Sequence, residues 1–438
     1  MRIVDARRDD PFEALKSRAP SCDESVSRIV EAIIEDVRRR GDEALLESAR
    51  KFDSPHVQSL AVSDAEIDEA RVPEEQAYAI QVAAERVLDF HRRQFKALIA
   101  GDAQPREWYA GGPFEGRVGG RYVPIDTAGV YAPRGAAGYP SSILMNVLPA
   151  RAAGVRDAIV TTPAGPDGTL SPSVLVALRA ARYSPGFKAF KVGGAAAVAA
   201  LALGTESVPR VDKVVGPGNK YVNEAKRQLW GTVGLDGYAG PSEVCVLADG
   251  TACAKFAAAD LLTQIEHAPD NCPFLVCDDE AKLREILDQV EAQAKGAPRE
   301  HVLREALTAE GIAFLARDKA QAIDIVNALA VEHLSIMTSS PDEDIAKIRN
   351  AGCIFVGDWS PQAAGDFCVG PSHTLPTAAA ARFDSPVNVL TFLKVQSVIR
   401  LSREQLEELA PVVETFGVME DFPTHGRGAT CRFEEETR

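Results

Sequence analysis

GVYAP (129–133), DAIVTTP (157–163), KAFKVGG (188–194), DKVVGPG (212–218) and EVCVLAD (243–249) decide the fold. Each is a short apolar run bounded by glycine, proline or charge. Between them lie SSILMNVLPARAAG (141–154), SPSVLVALRAAR (171–182), AAAVAALALGT (195–205) and NKYVNEAKRQLWG (219–231), all with helical patterning. Short apolar strands alternating with helices of this length spell βαβ units and a parallel sheet.

The alternation continues downstream in a second block. PFLVCDD (273–279), GIAFLARD (311–318), HLSIMTS (333–339) and CIFVGDW (353–359) read as strands. FAAADLLTQIEHA (256–268), EAKLREILDQVEAQAKG (280–296), KAQAIDIVNALAVE (319–332) and DEDIAKIRNAG (342–352) read as helices. The fold class expected is therefore α/β, with two Rossmann-like parallel sheets in tandem. Upstream, residues 23–52 form a helical pattern interrupted at Gly41-Asp42, and a second runs from Pro73 to Ala100. Residues 1–130 contain too few strands for a sheet, so these helices are expected to pack with the second block. After Arg382 the pattern turns helical to the end, LSREQLEELAPVVETFG (401–417) being its clearest part. So short a piece cannot hold a core alone, and reaching onto a partner subunit is a natural use for it.

Composition narrows the function. The 438 residues carry 48 Lys and Arg against 63 Asp and Glu, a net charge of −15. That balance argues against a nucleic-acid or anionic-membrane partner, which needs a basic surface. No apolar run reaches the length of a bilayer span, and the N-terminus has charges where a signal peptide needs apolar residues. The eight cysteines form no CxxC pair, and Cys245, Cys277 and Cys353 sit in apolar strand-like runs. That usage suits buried free thiols in a reducing cytoplasm.

A parallel sheet invites a nucleotide at the carboxyl ends of its strands. Neither GxGxxG nor GxxxxGK[ST] occurs. Four glycine loops stand in their place: PRGAAGYPSS (133–142), VGGAAA (192–197), VGPGNKYV (215–222) and AGPSEV (239–244). Any one of them is explained by a tight turn. Four on one sheet point to a ligand crevice, where glycine lets backbone approach a ligand and exposes helix N-terminal N–H groups.

Of the seven histidines, His56 and His301 sit in charged, loop-like surroundings, and His91 reads as a helix-surface residue. The other four each have a polar neighbour. Gln264 and His267 are three apart on a helical pattern and can share a face, although for this pair alone an amphipathic helix end facing water is the better reading. Glu332-His333 at a helix-to-strand junction has the makings of a base and its assistant. Asp366 and His373 frame a glycine-rich segment, and Glu420 and His425 follow the last helix. Imidazole and carboxylate are the usual nitrogen and oxygen ligands of zinc, so spacing leaves a metal site open.

The segments YPSSILMNVLPARAAG (139–154), VDKVVGPGNKYVNEAKRQLWGTVGLDGYAGPSEV (211–244), DLLTQIEH (260–267), VEHLSI (331–336), AGCIFVGDWSPQAAGDF (351–367), GPSHTLPT (370–377) and EDFPTHGRG (420–428) resemble the histidinol dehydrogenase family. That resemblance implies a cytoplasmic, zinc-dependent enzyme that oxidises L-histidinol to L-histidine through histidinaldehyde with two NAD. By it, Gln264, His267, Asp366 and His425 are the zinc ligands, and Glu332 and His333 the catalytic pair. Ser242, His373 and Glu420 join the zinc ligands and His333 in holding substrate, and Tyr131 and Asn219 hold NAD. It implies an intertwined homodimer in which each site takes His425 from the other chain. The expected division is an N-terminal segment 1–21, a zinc and catalytic domain (22–130 with 244–387), an NAD domain (131–243) and an arm (388–438).

Three departures stand out. Ala196 in VGGAAAVA replaces a glutamine that usually contacts NAD, Arg134 enters the usual YVPGG as YAPRG, and Ser372 replaces the asparagine of GPNH. They leave two rivals. One is a family relative oxidising another small alcohol, such as a sulfopropanediol. The other is a non-catalytic metal-dependent binding protein, which would have no need of a positioned Glu332-His333 pair.

Overall fold

The structure, a computed structural model, describes residues 1–18, 23–100, 107–110, 118–135, 138–237 and 240–434. Cys22, Ala136 and Ala137 of the 133–142 loop, and Ala239 of the 239–244 loop lie outside the described residues.

The chain opens with strand β1 (Arg2–Asp5). Helix α1 (Glu24–Arg40) begins where the Asp23 carboxylate accepts the N–H groups of Ser25 and Val26, and ends at Gly41 with φ 54°. Next come α2 (Asp42–Ser48), α3 (Asp64–Glu69), α4 (Glu74–Phe95), β2 (Glu107–Tyr109), β3 (Val118–Pro124) and β4 (Thr127–Tyr131). The expected alternation then appears as α5 (Pro140–Ala153), β5 (Asp157–Thr162), α6 (Pro172–Ala181), β6 (Lys188–Lys191), α7 (Gly194–Leu203), β7 (Lys213–Val215), α8 (Lys220–Leu229) and β8 (Gly234–Leu235). It continues with β9 (Glu243–Ala248), α9 (Ala254–Ile265), β10 (Cys272–Cys277), α10 (Glu280–Ala294), α11 (Glu300–Ala309), β11 (Ile312–Leu315) and α12 (Lys319–Leu329). Then come β12 (His333–Met337), α13 (Pro341–Ile345), β13 (Cys353–Val356), α14 (Gln362–Phe367), β14 (Leu393–Ile399), α15 (Arg403–Met419) and α16 (Pro423–Thr430).

Two sheets are wholly parallel: a five-stranded one in the order β6-β5-β4-β7-β8 and a six-stranded one in the order β1-β11-β10-β9-β12-β13. The α/β reading is thus borne out. All of β9 is buried, and its side chains feed both cores: Val244, Val246 and Ala248 face α9 and α10, while Cys245 and Leu247 face α12. A continuous apolar run belongs at such a position, covered on both faces.

Several expectations need correction. The N-terminal helices pack on the five-stranded sheet's helices, not with the second block. Val26, Val30, Ile34 and Val37 join Leu201, Val222 and Leu229 in one core. The 342–352 helix shrinks to the single turn of α13, and the C-terminal stretch contains β14. His91 is fully buried on the inner face of α4. There its Nδ1–H donates to the Val87 carbonyl at 2.8 Å, and burial lowers the pKa of the ring. Cys245 and Cys277 are buried as expected, whereas Cys353 is half-buried.

The chain divides into two compact units. The larger comprises Met1–Phe95 and Pro124–Phe392 and contains both parallel sheets. The smaller comprises Lys96–Val123 and Leu393–Arg438, with a three-stranded sheet ordered β14-β3-β2 and helices α15 and α16. On the smaller unit Val395, Ile399, Val412, Phe416, Val418 and Met419 are exposed. Among the described residues no helix is long and apolar enough to cross a membrane.

Candidate active site

Three of the four glycine loops follow the carboxyl ends of β4, β6 and β7, as expected. The fourth, 239–244, instead leads into the amino end of β9 in the other sheet. The larger unit therefore joins the carboxyl end of one sheet to the amino end of the other. A cavity of about 130 Å³ lies there, lined by Gly216, Lys226, Asp236, Ser242, Glu332 and His373 among others.

On the five-stranded side, the Tyr131 hydroxyl at the end of β4 accepts the Gly194 N–H at 3.4 Å, and burial pushes its pKa up to about 12. Asn219 caps α8, its Oδ1 accepting from Tyr221 and Val222, which leaves the amide NH2 as the group it can offer a ligand. Ala196 is buried within α7 and presents no polar group. Arg134 lies where its charge acts on Asp53, whose pKa burial nonetheless raises to about 6.

Gly216 has φ 116°, and a side chain there would run into the Tyr131 carbonyl, so only glycine fits. Both of its backbone groups are held. Its N–H donates to Asp236 at 2.7 Å and its carbonyl accepts from Lys226 at 2.5 Å. Lys226 and Asp236 pair at 2.7 Å with side chains 1% and 6% exposed. Removing one partner leaves an uncompensated buried charge. Lys226→Met is expected to lower unfolding stability by about 3–5 kcal/mol, measured by denaturant titration. A loss under ~1 kcal/mol would mean that water reaches Asp236 and the pair is not sealed.

On the six-stranded side, α12 ends with Ala330 in the left-handed region, and the chain turns directly into β12. This places Glu332 and His333, both buried, at the strand entrance. The Glu243 peptide next to them holds both: its N–H donates to Glu332 Oε2 at 2.9 Å, and its carbonyl lies 3.3 Å from His333 Nδ1. A carbonyl only accepts, so Nδ1 carries the hydrogen. Nε2 faces Asp366 at 3.4 Å and has no hydrogen-bond partner. Burial would lower the His333 pKa, but the negative charges of Glu332 and Asp366 prevail and push it up to about 10. Phe355 stacks on the ring at 6.1 Å.

Asp366, on α14, accepts the Gln264 amide at 2.7 Å, and its carbonyl accepts the His373 Nδ1–H at 2.8 Å. Burial opposes its ionisation, yet His333, His373 and Gln264 together hold its pKa below the usual value. Burial lowers the pKa of His373, whose Nε2 lies 3.3 Å from the Ser142 hydroxyl. Ser372 is buried and accepts the Thr374 N–H.

Gln264 and His267 do not share a helical face. Helix α9 stops at Ile265, four residues before Pro269, leaving Gln264 buried against Asp366 and His267 exposed on the bend. Ser242 lines the cavity, its N–H donating to Asn271 at 3.1 Å. Glu420, after α15, and His425, in α16, are exposed on the smaller unit, where His425 packs beside Phe422 at 5.2 Å. Sequence reasoning missed Asn271, which also donates to the Gln264 carbonyl and so ties Ser242 to Gln264. An asparagine before a strand reads as an ordinary turn residue, and nothing in the sequence set it apart.

Among the described residues, no three His, Cys, Asp or Glu side chains gather as a ready metal cluster. The donor chemistry still suits zinc. Gln264 and Asp366 meet, the Gln264 amide N–H donating to the carboxylate; each carries an oxygen that zinc accepts as a ligand, His333 Nε2 lies 3.4 Å from Asp366, and His267 and His425 are exposed imidazoles.

A buried Glu-His pair set where two parallel sheets meet is the equipment of an α/β enzyme that moves protons. Comparison with known proteins identifies the enzyme class. The histidinol dehydrogenase family model matches residues 16–433. A histidinol dehydrogenase of Geobacter metallireducens is 40% identical over 99% of this chain and 98% of its own. One from Bordetella parapertussis is 42% identical over 94% of this chain and 92% of its own. The crystal structure of histidinol dehydrogenase from Elizabethkingia anophelis superimposes with a TM-score of 0.89 at 31% identity, covering 99% of this chain and 98% of that one. The chain belongs to the histidinol dehydrogenase family and is an oxidoreductase.

Proposed function

We propose that the protein oxidises L-histidinol to L-histidine through histidinaldehyde, with two NAD and one zinc per site, as a cytoplasmic homodimer. The observation that carries this reading is the convergence of Glu332, His333, Asp366 and Gln264, with His333 Nε2 buried and turned toward Asp366 at 3.4 Å. Gln264, His267, Asp366 and His425 of the partner subunit would hold zinc. Ser242, His373 and Glu420 would join them around the substrate, and Tyr131 and Asn219 would hold NAD in the 131–243 region. The exposure of His425 and Glu420 in the isolated chain suits residues that serve a second subunit.

Zinc would orient the amino alcohol and draw the Asp366 charge away from His333, letting the ring act as a neutral base. NAD would accept the hydride of each oxidation. His333 takes the alcohol proton at Nε2, because Nδ1 is fixed as a donor toward the Glu243 carbonyl. Glu332 faces the cavity with one oxygen anchored by the Glu243 N–H. Its carboxylate takes a proton from the water that adds to the aldehyde. The hydrate so formed undergoes the second oxidation.

The test is NAD reduction by L-histidinol with the purified, zinc-loaded protein. Activity should vanish on chelation and return with added zinc. A protein that retains zinc and leaves histidinol untouched would contradict the proposal.

A further inference from the structure

Behind the site lies a second polar cluster that the proposed chemistry does not use. Ser335 donates its hydroxyl to Asp260 at 2.6 Å and accepts the Gln362 side-chain amide at 2.9 Å. Asp260 also accepts the backbone N–H of Gln362. Asp260, Ser335 and Gln362 are 4%, 1% and 0% exposed, deep among apolar side chains.

Their positions repeat those of the site. Asp260 precedes Gln264 by one helical turn on α9, and Gln362 precedes Asp366 by one turn on α14. Ser335 follows His333 by two residues on β12, hence on the same face of the sheet. Each member of the inner cluster therefore shares an element and a face with one residue of the Gln264–His333–Asp366 group. The same three elements are tied twice, once at the site and once a turn deeper. Buried polar groups carry a desolvation cost, and Ser335, in register with Val246 on β9 and Phe355 on β13, could have been replaced by apolar packing.

We infer that Asp260, Ser335 and Gln362 form a positioning clamp that sets the spacing of Gln264, His333 and Asp366. This inference rests on the proposed function. All three are positioning residues and touch neither substrate nor metal. A site made from three separate elements needs such a support, because an ångström of drift in one helix would part Asp366 from Gln264 and His333.

The test compares Ser335→Ala and Asp260→Asn with the wild-type protein, Asp260→Ala being the harsher control. Zinc affinity is read by competition with a chromophoric chelator. Imidazole signals are read in histidine-labelled apo-protein by long-range 1H–15N spectra, and folding by thermal unfolding. The expected result for Ser335→Ala is zinc affinity about 10–100-fold weaker. In the zinc-saturated enzyme kcat should fall while KM for NAD holds. The His333 and His373 signals should move while that of exposed His56 stays. Asp260→Asn, which keeps an acceptor for the Ser335 hydroxyl, should lie nearer the wild type than Asp260→Ala. If Ser335→Ala does not fold, Gln362→Ala, which removes the amide that Ser335 accepts, carries the same readouts. A lowered melting temperature with unchanged zinc affinity, kcat and imidazole signals would overturn the clamp and leave the cluster merely structural. Should the wild-type protein neither bind zinc nor oxidise histidinol, the proposed function falls. The imidazole signals then decide the clamp alone: movement supports it and fixed signals refute it.

Discussion

His333→Asn is expected to lower kcat by about 10²–10⁴-fold, the usual contribution of a positioned general base. Asparagine keeps a donor for the Glu243 carbonyl and much of the packing against Phe355. It supplies no basic nitrogen where Nε2 stood. Zinc retention should stay close to normal, since Gln264 and Asp366 still meet. The measurement is steady-state turnover beside bound metal per chain. Glu332→Gln makes a companion. It can still accept the Glu243 N–H through its carbonyl, yet cannot take a proton from water. The first oxidation should proceed and the aldehyde should persist, detectable by a carbonyl trap. Full turnover by His333→Asn would remove the base from the account.

The second large effect concerns the shared site. Gln264→Ala and His425→Ala should each bring activity close to zero, with zinc loss exceeding the roughly 10–100-fold that an outer-shell change costs. Mixing the two variants should then restore activity. In a dimer of one chain of each kind, one site combines an intact Gln264 with an intact His425, and the other site lacks both. Random pairing puts half of the chains into such dimers, so recovery should approach about a quarter of the wild-type rate. No recovery, once mixed dimers are demonstrated, would place His425 within its own chain's site or outside any site.

Much of this fold is legible from the sequence, for a definite reason. Strands such as β5, β9, β10 and β12 are buried on both faces, so each reads as a mostly apolar run. What escapes reading lacks that signature. Strand β8 is two residues long, β1 is short with charge at both ends, and β14 is largely exposed. The apolar stripe of α1 announces that one face is buried but not against which sheet. Its placement on α7 and α8 needed the tertiary structure. His91 fails for a related reason: a histidine within DFHRRQ looks solvated until the helix is turned to bury it.

The site divides in the same way. Glu332-His333 is visible as an adjacent acid and imidazole at a junction, because the two lie next to each other in the chain. The meeting of Gln264 with Asp366 is not, since residues about a hundred positions apart come together only through topology. Resemblance to the family named them, and the fold places Gln264, Asp366 and His373 with His333. The helical reading of Gln264 and His267 fails because α9 stops between them. Asn271, Asp260, Ser335 and Gln362 carry no local signal, being ordinary polar residues whose burial is set by distant elements.

The central claim is a double oxidation at one carbon, and its most direct test is stoichiometry. L-histidinol supplied in limiting amount to the zinc-loaded enzyme with excess NAD should give two NADH for each histidine formed, with no free aldehyde accumulating. One NADH per histidinol, with the aldehyde as final product, would contradict the role given to Glu332 and the account built on it.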